Sequence, residues 1–107
     1  MAEGKRKIER ADFGSFEVTT QLDCHGRPLM ALVTVRARPI DEAVVAAFGA
    51  LADSRLAFPG FRLLDVPRFY RLGFSMGKDE IHVTFRQHHD PTAREELVSR
   101  LRAALEG

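Results

Sequence analysis

Two short clusters hold side chains suited to metal or acid–base chemistry: Asp23-Cys24-His25 and His88-His89-Asp90. Imidazole and thiolate are good zinc ligands, and a carboxylate beside an imidazole suits proton transfer. The spacing works against both uses. Cys24 and His25 are adjacent in the chain and so are not placed as nucleophile and base, and neighbouring histidines leaving a strand point to opposite sides. The first cluster falls in a hairpin tip and the second where a strand runs into a helix, which is expected to keep them apart. No serine sits in a nucleophile elbow, and Gly73 and Gly77 precede no helix start that would hold a phosphate. These residues lead to the expectation of a non-enzymatic protein with no catalytic residues, no metal ligands and no cofactor.

The elements that position these residues must come from one domain, because 107 residues build a single core and are too few for two. Apolar residues at 45% and charged residues at 29% are ordinary for a globular protein. The formal net charge is +1, so no global field draws in nucleic acid or an anionic membrane, and such binding needs a local patch. Cys24 is the only cysteine, which rules out an intramolecular disulfide and fits a reducing compartment. The start, MAEGKRKIERADFG, lacks the apolar stretch of a signal peptide, and no run reaches the length of a membrane span. A cytoplasmic protein without membrane contact is expected.

Residues 1–13 are polar and without apolar period, and read as a flexible basic N-terminal arm ahead of a single domain over 14–107. Phe16, Val18, Thr20 and Leu22 alternate with polar residues as in a half-buried strand. The turn Asp23–Pro28 leads to a return strand, Leu29 to Arg38, with Leu29, Ala31, Val33 and Val35 on one face and Met30, Leu32, Thr34 and Arg36 on the other. Asp41 is placed to cap a helix whose apolar stripe Val44, Val45, Phe48, Leu51, Ala52 and Leu56 extends to Phe58-Pro59-Gly60. Residues 61–67 fit an approach strand or a turn, with a short helix over 66–72 as an alternative. A hairpin follows in which pairing 70 with 85, 72 with 83 and 74 with 81 puts Tyr70, Leu72, Phe74, Ile81, Val83 and Phe85 on one face. Asp90-Pro91 then opens a second helix with the stripe Leu97, Val98, Leu101, Ala104 and Leu105. The expected fold is α+β: a two-layer ββαββα arrangement, a four-stranded antiparallel sheet with two helices on one face.

The uncovered face of that sheet is the candidate binding surface: Met30, Leu32, Thr34, Arg36, Phe69, Arg71, His82, Thr84 and Arg86. Met30, Leu32 and Phe69 are apolar where a solvated face is normally polar, which points to an interface and to a homodimer, or to another protein partner. Arginines interleaved with the Phe69 ring suit single-stranded nucleic acid as the alternative. The stretch Arg62-Leu63-Leu64-Asp65-Val66, with Arg68, Tyr70, Arg71-Leu72-Gly73 and Phe74, resembles a short segment of the bacterial DdrB-type single-stranded-DNA-binding proteins. Pro67 departs from the helical pattern of that segment, and the likeness transfers no functional residue. The two readings separate by charge: a dimer face should fail when Leu32 or Met30 becomes Asp, a phosphate track when Arg36, Arg71 or Arg86 becomes Glu.

Overall fold

The computed structural model describes residues 7–49, 52, 54–89 and 91–106. Among them the chain runs β1 (Lys7–Asp12), β2 (Phe16–Leu22), β3 (Pro28–Val35), α1 (Glu42–Gly49), β4 (Ser54–Phe58), β5 (Phe61–Val66), β6 (Tyr70–Ser75), β7 (Glu80–Phe85) and α2 (Ala93–Glu106). The strands form one seven-stranded antiparallel sheet in the order β1-β2-β3-β7-β6-β5-β4. The α+β class stands, and the four-stranded ββαββα sheet does not: β1, β4 and β5 widen it.

Of the added strands, β5 is the approach strand that residues 61–67 allowed, and β1 and β4 escaped the pattern for physical reasons. All six residues of β1 are exposed, so this edge strand has no buried face to impose a period of two. Lys7–Asp12 therefore pairs with β2 where the sequence suggested the end of an arm; residues 1–6 lie outside the described residues. Among the described residues the first helix runs to Gly49, and Arg55, Leu56, Ala57 and Phe58 belong to β4. What makes this segment a strand is its pairing with β5 across the Pro59-Gly60 turn, where Gly60 takes the positive φ of +73° that follows Pro in a type II turn. Leu51 of the expected helical stripe and the capping Asp90 lie outside the described residues.

The hairpin at the centre keeps the expected register, Tyr70 opposite Phe85, Leu72 opposite Val83 and Phe74 opposite Ile81. These six are buried and form the floor of a single core with Phe16, Val18, Ala31, Val33 and Val35. Both helices close this core on the same side. Phe48 of α1 meets Tyr70 and Phe74 at ring-centroid distances of 6.5 and 5.8 Å, while Leu97 and Leu101 of α2 are buried in the same cluster. Asp41 caps α1, its Oδ1 accepting from the Ala43 and Val44 amides, each at 3.1 Å. Ile40 is buried beside this cap, and its backbone bonds Gly77 and Lys78, tying the helix entry to the β6–β7 turn.

Candidate functional site

Pleating sends alternate residues of every strand away from the helices, and the pairings line them up in rows across the sheet. One row reads Arg10, Thr19, Leu32, His82, Gly73, Leu63, Leu56 from β1 to β4. The row beside it reads Ile8, Gln21, Met30, Thr84, Arg71, Asp65, and on the other side Asp12, Glu17, Thr34 and Glu80 pair across β1, β2, β3 and β7, and Ser75, Phe61 and Phe58 across β6, β5 and β4. No described element covers these rows. Met30, Leu32, Thr34, Arg71, His82 and Thr84 are thereby brought together on one open face, with Arg36 and Arg86 at the strand ends.

Phe69 is not part of it. Alternation carried back from Tyr70 would put Phe69 on the open side, but Arg68 has a left-handed φ of 74°, which breaks the alternation at the turn. The Phe69 ring instead packs against the core, 5.9 Å from the Tyr70 ring. In its place the face carries three apolar side chains that the sequence reading missed, Ile8, Leu56 and Phe58, beside the expected Met30. Ile8 is 64% exposed, Met30 46%, Leu56 52% and Phe58 50%. They form two patches: Ile8, Met30 and Leu32 at the β1–β3 side, over a shallow hollow of about 420 Å³, and Leu56, Phe58, Phe61 and Leu63 at the β4–β5 edge. Phe61 lies over Gly73, where a Cβ would stand only 2.7 Å from its ring. The signal for the second patch was Phe58-Pro59-Gly60-Phe61, a Pro-Gly turn between apolar residues.

The three arginines expected on the face stand against carboxylates, and Arg10 at the β1 end of the row is left exposed. Arg36 donates to Asp12 at 2.7 Å and lies 3.5 Å from Glu17, and this contact, with the Gly14 amide, holds the Asp12 carboxyl below its usual range. Arg86 bonds Asp65, and Arg71 stands 3.8 Å from the same carboxylate. His82 lies 3.6 Å from Glu80. Glu17, Asp65 and Glu80 thus interrupt what would otherwise be a positive track.

The turn that carries the first cluster ends near the second, because β3 begins beside the end of β7. Gly26, Arg27 and Pro28 border the same surface hollow as Gln87, His88 and His89. Their polar atoms serve the turns. Asp23 Oδ1 accepts from the Arg27 and His25 amides at 2.9 and 2.8 Å, which lowers its pKa, and His89 Nδ1 bonds the Arg86 carbonyl at 2.7 Å. Among the described residues no three His, Cys, Asp or Glu side chains gather as metal ligands, and no helix is long and apolar enough to cross a membrane. Compared with known protein families, curated proteins and solved structures, the chain gives no match.

Proposed function

We propose that this chain is a non-enzymatic binding module of the cytoplasm that self-associates and makes its protein contacts on the open face of the sheet. One observation carries the reading: the uncovered face exposes Ile8, Met30, Leu56 and Phe58 while Arg36, Arg71 and Arg86 are each set against a carboxylate of the same face. Apolar surface left in water favours a protein partner. A phosphate backbone would have to displace Asp12 and Asp65 from the arginines before it could use them, and Phe69 offers no ring for a base on this side.

Light scattering on a sizing column, at low and moderate salt and with a short mixed-sequence single-stranded oligonucleotide, tests the reading. A two-chain species that ignores the oligonucleotide supports it. A single chain that carries the oligonucleotide at low salt and releases it at higher salt overturns it in favour of nucleic acid binding.

A further inference from the structure

We propose that two copies of this chain join through β4, edge to edge and antiparallel, so that their sheets continue as one about a two-fold axis at Leu56. The proposal rests on the reading of the chain as a self-associating module, but moves the contact between copies from the middle of the open face to the sheet edge, leaving that face to other protein partners.

The sheet ends in two edge strands of opposite character. β1 carries Lys7, Glu9, Arg10 and Asp12, with Asp12 bonded to Arg36 and Glu9 to Arg94 at 2.7 Å in each case. Charge along an edge discourages another strand from pairing there. β4 reads Ser-Arg-Leu-Ala-Phe, and its one charged side chain, Arg55, turns back to donate to the Gly49 carbonyl at 2.5 Å. Leu56 and Phe58 stay half exposed beside a backbone edge that no described strand pairs.

That backbone is self-complementary. The two-residue turn sets Phe58 opposite Phe61, so the hydrogen-bonded pairs with β5 fall at 58/61, 56/63 and 54/65. Arg55 and Ala57 therefore direct their N–H and C=O to the free edge. With Leu56 on the axis, Arg55 of each copy meets Ala57 of the other, and every free donor finds an acceptor. Sliding by one step of the ladder toward the turn sets Arg55 against Pro59, which has no N–H. Sliding the other way puts Arg55 against the Arg55 of the other copy, like charges directly opposite. The Leu56-centred register avoids both and doubles the apolar patch of Leu56, Phe58, Phe61 and Leu63 at the axis. A five-residue edge makes a small contact, within the class of weak interfaces below about 1,200 Å². The dimer should accordingly form and dissociate with concentration.

The test is light scattering over a concentration series with the full chain and two variants, joined to disulfide trapping. Ala57→Pro removes an edge N–H that β5 does not use and should abolish the two-chain species, whereas Leu32→Asp, in the middle of the open face, should leave it intact. In a Cys24→Ser background, Leu56→Cys should yield a covalent dimer with oxidised glutathione, since residues facing each other in a non-hydrogen-bonded pair have Cα atoms about 4.5 Å apart. Phe58→Cys in that background should not, its two copies being roughly 13 Å apart. If Ala57→Pro fails to fold, the two cysteine variants decide. Dimers that survive Ala57→Pro and vanish with Leu32→Asp, or equal trapping at both positions, overturn the β4 contact and leave self-association through the open face standing. A single-chain mass at every concentration with no trapping overturns both the contact and self-association.

Discussion

Tyr70 is the largest side chain that the fold hides completely, and its hydroxyl has no hydrogen-bond partner among the described residues. The ring fits well, edge-on to Phe48 and to Phe85 at 6.5 and 6.1 Å. Burial pushes the phenol pKa up, and the neighbouring Glu96 carboxylate adds to the rise. An unmade hydrogen bond in such a place costs more than the same group would in water, while the ring alone brings the apolar contact. Tyr70→Phe should therefore stabilise the protein by about 1 kcal/mol and raise its melting temperature by several degrees. A lower melting temperature in a thermal scan would mean that the hydroxyl has a partner in solution. The inward position of Tyr70 was legible from alternation with Leu72 and Phe74. That of Phe69 was not, because a single left-handed residue, Arg68, reverses the side on which its neighbour falls.

An eight-residue helix such as α1 is too short to hold itself by propensity, so its ends and its buried face decide whether it forms. Asp41 satisfies two free amides at its start, and the Val44 amide is the chief cause of the lowered Asp41 pKa. A carboxyl whose folded pKa is depressed contributes stability in full above its unfolded value, here 3.8, and loses it as pH falls through the lower folded value. Asp12 and Asp23 shift in the same direction, so stability should be level from neutral pH to about 5 and fall below 4. Asp41→Ala should lower the melting temperature at neutral pH and flatten part of the acid limb, and Asp41→Asn should restore most of the first effect and none of the second. Thermal scans across pH with the three proteins check this. The cap was legible because it is local, and so was the β6–β7 hairpin. The strand identity of β4 was not: Arg55, Leu56 and Ala57 suit a helix as well as a strand, and only pairing with β5, a non-local contact, settles it. The candidate face was half legible for the same reason, with Met30, Leu32, Thr34, His82 and Thr84 lying on strands of clear period and the β4–β5 patch hidden by the misplaced helix.

With sixteen basic against fifteen acidic residues, the chain has little net field, and how its association responds to salt reports what kind of surface is used. The β4 contact is made of backbone hydrogen bonds and apolar side chains, with Arg55 held against its own helix. Salt screens charges and strengthens burial of apolar surface when the anion is sulfate. The dimer fraction should therefore hold steady from about 0.05 to about 0.5 M sodium chloride and rise in sulfate. The Arg36–Asp12 and Arg86–Asp65 pairs are exposed on one or both sides and weaken over the same range, yet the first lies across the sheet and the second, on β5 beside Ser54, offers no group to the free side of β4, so they should not carry the dimer with them. Because only folded chains can pair, the melting temperature should climb with protein concentration, and Ala57→Pro should remove that dependence. Sedimentation at the two salt concentrations, set beside a concentration series of thermal scans, measures both. A dimer that dissolves as sodium chloride rises would place the contact on the charged rows around Arg36, Arg71 and Glu80 instead of on β4.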